Sequence, residues 1–416
     1  MQYLTLLRRY PNYLGFGLLH YFFSSPGQSF FISVFVAYLT GALGIGQEDF
    51  NGIYALATLG SAFTLPWLGS LLDRTKLRHF SVALGLVYTG FCLLMASVQN
   101  LYMLFLAIYG LRLCGQGLMG LTASTATARY FDQMRGQALS LVSLGVSLGE
   151  MTLPLLFAGL VLTYVSWQVA WLIVAGLVLL VFVPLSIGLV RSDAAFQYNP
   201  AAKAGEDKPD AKEEQAKTAS SVSRGQVLRR PSFYVLSLCY LWPPFFMTGI
   251  IINLTLIGEA NDWSPGLLAT GISVLGGMRL LANLFSGPLI DRFTAVRVFA
   301  FMLLPMLLGT ALLAWSSHPV ALIGFFVLSG ISVSLNGIAS TAVWAELYGI
   351  RFLGAIRSMV STFMVVSTAA APLALGWALQ ATGNQSLVLW LCCLLMGGIT
   401  LITFWQTGRL RKGLAE

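Results

Sequence analysis

The chain has 416 residues, of which 57% are hydrophobic and only 10% are charged, and its formal net charge is +8. A soluble protein of this length needs much more charge to cover its surface, so the composition excludes a soluble globular fold. The basic excess alone would also suit a nucleic-acid-binding protein. We reject that interpretation because the positions of the charges explain them better.

Long apolar runs alternate with short polar turns along the chain, which is typical of a polytopic helical membrane protein. Each run is near the roughly 20 residues that a helix needs to cross a bilayer. We therefore predict an all-α membrane protein with about twelve transmembrane helices. The predicted spans, numbered one to twelve, are 12–40, 50–72, 79–98, 101–129, 137–163, 168–190, 232–257, 266–290, 295–315, 319–348, 353–380 and 386–408.

Lysine and arginine outside the spans lie on one side of the predicted membrane. The opposite loops contain neither residue; they lie near 41–49, 99–100, 164–167, 258–265, 316–318 and 381–385. By the positive-inside rule these loops are external and both termini are cytoplasmic. Orientation and contact with anionic lipid then account for the net charge. We expect no cleavable signal peptide, and the compact loops favour a bacterial inner membrane.

A six-residue stretch at 69–74, Gly-Ser-Leu-Leu-Asp-Arg, recurs at 287–292 as Gly-Pro-Leu-Ile-Asp-Arg. Its two aspartates are 218 positions apart (291 − 73), and the same offset relates Pro26 to Pro244 and Pro154 to Pro372. An offset kept this long without gaps indicates a tandem duplication. We therefore predict two pseudo-symmetric six-helix bundles at 1–190 and 231–416. A polar, mixed-charge cytoplasmic linker at 191–230 joins them.

The sequence offers little for catalysis. The five cysteines all fall inside apolar spans and lack metal-ligand spacing, so we predict neither disulfides nor a metal site. No Gly-x-x-x-x-Gly-Lys phosphate-binding sequence occurs, so ATP is not implied. We expect no cofactor, no enzyme activity and no nucleic-acid partner, and we expect a monomer in the lipid bilayer.

The repeated stretch, Gly-x-Leu-x-Asp-Arg followed by basic residues after spans two and eight, resembles the signature loop of the major facilitator superfamily. The resemblance covers nearly the whole chain and implies a fold of two six-helix bundles around a central cavity. In that superfamily the loop stabilises one gate state. The resemblance assigns this gate role to Asp73, Arg74, Arg78, Asp291 and Arg292. The alternative is that these charges only set the topology.

The loop at 130–138 resembles the loop between spans four and five in the monocarboxylate and oxalate/formate branch. Arg135 lies in this loop and joins the predicted gate residues. The branch also has an essential arginine in span eight, which would fall at Asn283 here. Arg279 precedes that position by one helical turn. The resemblance therefore implies an organic-anion substrate, which a guanidinium binds bidentately.

Three strongly charged residues fall well inside predicted spans: Arg112, Glu150 and Arg279. Each costs roughly 2.5–3.5 kcal/mol in hydrocarbon on insertion scales, so such residues normally face a cavity. We predict that Arg112 and Arg279 bind substrate and that Glu150 couples transport to a proton. The alternative is structural, with Glu150 paired to Arg279 or to Arg112. Drug antiporters have proline at the position of Glu150, which counts against a drug/proton antiporter.

Several polar residues inside spans are softer candidates. His20 suits a proton relay, although a neutral packing histidine is the alternative. Stretches 24–28 and 242–244 should break or bend spans one and seven, and broken helices at matching repeat positions indicate a binding site. We predict that four amides in spans line the cavity, with helix–helix hydrogen bonding as the alternative: Gln28, Asn253, Asn283 and Asn336.

The sequence thus predicts a secondary transporter that works by alternating access. The expected substrate is a small, monocarboxylate-like organic anion that moves together with a proton. One rival is an exporter of a larger metabolite, siderophore or drug, which the aromatic and Met-rich spans permit. Another is a non-transporting membrane sensor or assembly factor, for which the linker is too short to hold a signalling domain.

Overall fold

The computed structural model describes residues 2–131, 135–190, 227–293, 295–348 and 353–415. Over these ranges the chain is built from helices joined by short turns and contains no β-strand. The predicted linker at 191–230 falls almost wholly outside the described residues.

Within the described ranges, eleven helices are long and apolar enough to cross a membrane, and a pair bent by 45° makes a twelfth span. The bent pair, Pro11–Gly27 with Ser29–Leu43, is span one. The prediction of an all-α membrane protein with about twelve spans is confirmed. Spans two to twelve are Gln47–Leu72, Leu77–Ala96, Leu101–Tyr130, Gln137–Tyr164, Trp167–Leu189, Pro231–Ile252, Pro265–Asn283, Ala295–Trp315, Pro319–Gly337, Met359–Thr382 and Gln385–Arg409.

Several helices extend beyond their apolar core. Span eight belongs to a helix over Pro265–Phe293, and span ten to a helix over Pro319–Tyr348. Spans eleven and twelve belong to helices over Leu353–Thr382 and Gln385–Ala415. A short helix, Gln2–Arg9, precedes span one.

Span one breaks where the sequence predicts it. A 3₁₀ turn over Ser25–Gly27 interrupts the helix, and Gln28 adopts an extended conformation with φ −89° and ψ 152°. Pro26 has no N–H to donate to the preceding turn, which explains why the helix stops here. Helical geometry resumes at Ser29.

Span seven breaks elsewhere than predicted. The helix Pro231–Ile252 runs without interruption through Pro243 and Pro244, so a break at 242–244 is wrong, and a bend there stays a prediction. Neighbouring spans can hold a proline-containing helix together in a membrane. The interruption comes instead at Asn253, with φ −95° and ψ 14°, before a short helix over Leu254–Glu259.

The contacts divide the chain into two compact units. The first comprises Met1–Tyr198 with Ile250–Gly277, and the second comprises Asn199–Gly249 with Met278–Glu416. The C-terminal end of span seven and the first half of span eight therefore pack with the first sequence half. The bundle limits predicted from the duplication, 1–190 and 231–416, remain a prediction.

The first unit is held by aromatic packing and by close helix crossings. Phe31 packs edge-on against Phe157 and Trp171, with ring centroids 4.9 and 5.5 Å apart. A Cβ at Gly145, in span five, would lie 2.9 Å from the Phe22 nitrogen of span one. Only a glycine allows the two backbones to come this close.

The second unit has its own aromatic core. The Trp344 ring of the span-ten helix lies 5.8 Å from the Phe233 ring of span seven and 6.5 Å from the Phe299 ring of span nine. Spans nine and ten cross closely at Gly309, where a Cβ would lie 3.1 Å from the Phe325 carbonyl oxygen.

Candidate functional site

Arg112 lies in the interior of the first unit and is only 2% exposed. Its Nη1 donates to the Gly27 carbonyl oxygen at 3.2 Å, and its guanidinium carbon lies 5.2 Å from the centre of the Tyr54 ring. Its Nε has no hydrogen-bond partner among the described residues. The contacts that the structure describes for Arg112 include no carboxylate, and the alternative pairing with Glu150 stays a prediction.

Backbone geometry brings Arg112 to the break in span one. The segment Arg112–Met119 of span four is wound as a π-helix, a form often found at functional sites. Within it, Gly115 lies so close to Gly27 that a Cβ on Gly115 would be 2.8 Å from the Gly27 Cα. A Cβ on Gly27 would overlap the Leu111 carbonyl oxygen. The two glycines therefore let span four meet the break, where Arg112 reaches a backbone carbonyl.

Tyr54 belongs to this site and was missed by the sequence reasoning. It is fully buried, and its hydroxyl has no hydrogen-bond partner among the described residues, although the Ser29 and Thr58 side chains are its neighbours. Thr58 Oγ1 is likewise buried without a partner. The available signal was a polar stripe at helical spacing on span two. Its members are Gln47, Asn51, Tyr54, Thr58 and Ser61.

Glu150 is buried at 5% exposure in span five. Its neighbour Gly149 lies against span one, where a Cβ would overlap Ser25 Oγ. On another side, a Cβ at Gly276 of span eight would lie 2.7 Å from the Glu150 carbonyl carbon. Glu150 therefore lies where spans one, five and eight cross, near the same break that Arg112 contacts. Its predicted pairing with Arg279 remains a prediction.

Arg279 is partly buried in span eight, in the second unit. One turn further on, Asn283 Oδ1 accepts from Ser334 Oγ of span ten at 2.6 Å. Asn336, also in span ten, is 7% exposed, and its Oδ1 has no hydrogen-bond partner among the described residues. The second unit therefore brings Asn283 and span ten together, one turn from Arg279.

Two other predicted amides make contacts within the first unit. Asn253 Oδ1 accepts from Asn51 Nδ2 at 2.8 Å, which is a helix–helix hydrogen bond. Gln28 Nε2 donates weakly to Ser24 Oγ at 3.5 Å, at the break itself. For both residues, a role in lining the substrate path remains a prediction.

His20 has both ring nitrogens engaged in a fully buried setting. Nδ1 lies 2.9 Å from the Phe16 carbonyl oxygen and must donate to it, which leaves Nε2 to accept from Ser81 Oγ at 3.1 Å. The ring also contacts Phe16 and Phe182, with centroid distances of 4.0 and 4.9 Å. This is the geometry of a neutral packing histidine. A role in proton coupling remains a prediction.

The predicted gate residues are only partly described. Arg74, Arg78 and Arg292 are exposed, and the Arg292 guanidinium carbon lies 5.4 Å from the Phe293 ring centre. The side chains of Asp73, Asp291 and Arg135 lie outside the described part of the structure. The gate role therefore stays a prediction.

Potential metal ligands are dispersed over the described residues. These contain no group of three or more His, Cys, Asp or Glu side chains that could hold a metal ion. The five cysteines are free and buried.

Twelve spans with buried charges at helix crossings define a multi-pass integral membrane protein. Residues 17–279 and 244–415 match the family model described as Major Facilitator Superfamily. Because these matches cover nearly the whole chain, the protein belongs to the major facilitator superfamily, and its general function is membrane transport. The resemblance drawn from the repeated loop is confirmed.

Two curated proteins illustrate the sequence relationship. The chain is 23% identical over 330 residues to the uncharacterized MFS-type transporter YhjX of Escherichia coli, covering 74% of this chain and 73% of that protein. It is 29% identical over 128 residues to monocarboxylate transporter 9 of Mus musculus. That second match covers 30% of this chain and spans only 25% of the mouse protein.

Solved structures share the fold at low sequence identity. A bacterial homolog of the human lysosomal transporter Spinster, inward-facing and unoccupied, aligns with a TM-score of 0.68 and 15% identity, covering 97% of this chain and 91% of that chain. A mutant of the nucleoside transporter NupG aligns with a TM-score of 0.72 and 11% identity, covering 96% and 99%. At these identities the likeness shows the fold alone.

Proposed function

We propose that this protein is a secondary active transporter that works by alternating access and moves a small, monocarboxylate-like organic anion together with a proton. The observation that carries the proposal is Arg112, a buried guanidinium whose described contacts include no carboxylate. A cation held in the membrane interior is costly unless a partner offsets its charge. A carboxylate substrate is a natural partner, because a guanidinium binds it bidentately and stays charged.

The proposal gives Arg279 the second anion-binding role. The equivalent residue in the first repeat, 218 positions earlier, is Ser61, so the duplication alone does not account for this cation. A charge that is present in only one repeat favours a role in substrate binding over a structural role common to both repeats. Asn283 and Asn336, close by in spans eight and ten, supply amides that could orient the anion.

Glu150 is the residue that we assign to the proton. Its side chain is buried at the crossing of spans one, five and eight, beside the break that Arg112 contacts. Ionisable residues in such positions commonly serve as proton relays in transporters. His20 is the weaker candidate, because both of its ring nitrogens already have partners.

The relatives add limited support for the substrate class. The local match to monocarboxylate transporter 9 and the branch-like loop at 130–138 both favour an organic anion. For the gate, we propose that Asp73, Arg74, Arg78, Asp291, Arg292 and Arg135 stabilise one state at the cytoplasmic side. The proposal also places both termini in the cytoplasm of a bacterium and treats the protein as a monomer.

Uptake by reconstituted protein tests this function. Proteoliposomes with an inward proton gradient would be supplied with labelled lactate, pyruvate or oxalate. Removing one partner of a buried charge pair costs about 2–5 kcal/mol, so Arg112→Ala and Arg279→Ala should each lower uptake by roughly 30-fold or more. Arg229→Ala, at an exposed arginine before span seven, is the matched control and should transport normally.

Uptake that survives in both Arg112→Ala and Arg279→Ala would refute the assignment of these residues. No uptake of any small carboxylate, combined with drug or siderophore resistance conferred on cells that lack their own pumps, would favour an exporter of larger compounds.

A further inference from the structure

Three amide groups, those of the buried Asn51 and Asn253 and the partly buried Gln47, connect the beginning of span two to the break in span seven. Asn51 Nδ2 donates to Asn253 Oδ1 at 2.8 Å. Gln47 Nε2 donates to Asn51 Oδ1 at 3.2 Å and to the Ile252 carbonyl oxygen at 3.1 Å. Asn51 is 1% exposed and Asn253 is fully buried. The contact is therefore shielded from water and is specific in its donors and acceptors.

The position of the contact in the chain places it at the outer ends of both spans. Span two begins at Gln47, directly after the lysine- and arginine-free loop at 41–49. Asn253 lies five residues before the loop at 258–265, which likewise contains no Lys or Arg. Both loops are external by the positive-inside rule. The amides thus hold together two spans from different sequence repeats on the outer side.

The contact occurs once in the duplicated sequence. At the 218-residue offset, Asn51 corresponds to Ala269 and Asn253 to Phe35. Neither counterpart can make an amide hydrogen bond from its side chain. The second copy of this contact is therefore absent from the sequence, which argues against a scaffold feature inherited by both halves.

Amides are well suited to a contact that must open and close. A buried amide without a partner is costly, so closure requires the donors and acceptors to meet correctly. When the ends separate, water can replace each partner, so a neutral hydrogen bond contributes only a modest net stabilisation. An apolar contact of the same size would instead expose hydrophobic surface on opening.

We propose that Gln47, Asn51 and Asn253 form a polar latch that holds the outer ends of spans two and seven closed. The latch must release each time the transport path opens to the outside. The proposal rests on alternating access and is independent of the identity of the substrate. In this proposal the three residues act on the conformational change by holding two helix ends together and do not bind the substrate.

The surroundings of the latch fit this role. On the other side of the span-seven break, an apolar cleft separates the outer end from spans one and five; Ser33, Tyr38, Ala158, Thr255 and Ile272 are among its lining residues. Packing on that side is therefore incomplete, and the amide contact attaches the end of span seven to span two at a defined point. Loss of the latch should consequently favour opening more than loss of a nearby surface polar group.

Cysteine accessibility tests the latch without any substrate. Ala55 is 3% exposed and lies one helical turn below Asn51 on the same face of span two. Ala55→Cys would be introduced after the five native cysteines are replaced by alanine. A membrane-impermeant thiol reagent would then be added to intact cells, and the labelling rate would be measured.

Asn51→Ala and Asn253→Ala should each raise the labelling rate by roughly three- to tenfold, as expected when one net hydrogen bond no longer favours the closed state. The double variant should add little, because both changes break the same contact. Asn100→Ala is the matched control. It removes an outer asparagine that caps its own helix through the Met103 N–H at 2.9 Å, and it should leave labelling unchanged.

Unchanged labelling in folded latch variants would overturn the proposal, and so would an equal rise in the Asn100→Ala control. If the alanine variants fail to fold, Asn51→Ser and Asn253→Ser replace them, because serine keeps a hydroxyl but is too short to close the contact. The same rise is expected. Failure of anion uptake leaves this result intact, so the latch and the proposed substrate fail separately.

Discussion

Arg112 and Tyr54 show how single residues build the site. The guanidinium faces the aromatic ring at 5.2 Å, a distance at which a cation–π attraction contributes about 0.5–2 kcal/mol. The Tyr54 hydroxyl makes no hydrogen bond to a described residue. The ring therefore carries the interaction with Arg112, and the hydroxyl is left for another partner.

This division predicts different effects of two substitutions at Tyr54. Tyr54→Phe keeps the ring and removes a buried hydroxyl without a partner, so thermal stability in detergent should be unchanged or slightly higher. Tyr54→Leu loses the ring and should be less stable by about 1–2 kcal/mol. Melting curves of both variants check this. Equal destabilisation by Phe and Leu would mean that the hydroxyl has a stabilising bond.

His20 should behave as a packing residue. Its ring fills space between Phe16 and Phe182 and bonds Ser81, so His20→Ala should lower stability by about 2–4 kcal/mol through the cavity and the unpaired hydroxyl. The pH dependence of uptake should keep its shape. A shifted pH profile with unchanged melting temperature would instead assign the transported proton to His20.

Sequence can single out a candidate residue where its chemistry does not match its surroundings. Arg112 and Glu150 are conspicuous because a charge inside an apolar run is costly. Tyr54 is not, because a tyrosine in a span reads equally well as an interface anchor or a packing residue. Only the contact with Arg112, across two helices, distinguishes it.

At the scale of the helix, span one depends on the absence of a side chain at Gly27. A Cβ there would overlap the Leu111 carbonyl oxygen and crowd Gly115, so a backbone shift would be required. Gly27→Ala should therefore destabilise the protein by about 1–3 kcal/mol and weaken the Arg112 contact.

Gly41→Ala provides the control in the same span, because nothing lies within 4 Å of a Cβ at that position. It should be neutral or stabilising by about 0.5–1 kcal/mol, since alanine favours helix over glycine. Thermal denaturation in detergent would compare the melting temperatures of the two variants. A Gly27→Ala protein as stable as Gly41→Ala would show that the close crossing tolerates a side chain.

The two helix breaks show what sequence can and cannot predict. Pro26 follows two serines and precedes a glycine, and the combination ends the helix locally. Pro243 and Pro244 carry an equally strong local signal, yet their helix is continuous. The break at Asn253 has no proline or glycine at its own position. Its side chain bonds Asn51, a residue 202 positions away, so the deciding contact is tertiary.

For the molecule as a whole, the distribution of Lys and Arg predicts orientation. Gln99→Cys, in an exposed loop without basic residues, should react with an impermeant thiol reagent in intact cells. Lys76→Cys, exposed after span two, should react only after the cells are permeabilised. The buried native cysteines keep the background low. The opposite labelling pattern would invert the proposed topology.

The overall architecture could be predicted because it depends on properties that act along the chain. Span length, apolar content and the repeated loop are each visible in sequence, and the twelve spans and the superfamily followed from them. The arrangement of side chains around Arg112 could not be predicted in this way. It depends on which helices meet, and the contacts of Gly27 with span four and of Gly276 with span five join distant parts of the chain.

The central claim is that Arg112 and Arg279 bind a small carboxylate, and ligand-induced stabilisation of the purified protein tests it most directly. Lactate, pyruvate, oxalate, phosphorylated metabolites, siderophores and cationic drugs would be compared for their effect on melting temperature across pH. We predict a rise with a carboxylate that is lost in Arg279→Lys and in Arg112→Lys, because a lysine cannot bind bidentately. Stabilisation by large hydrophobic or cationic compounds alone would contradict the account.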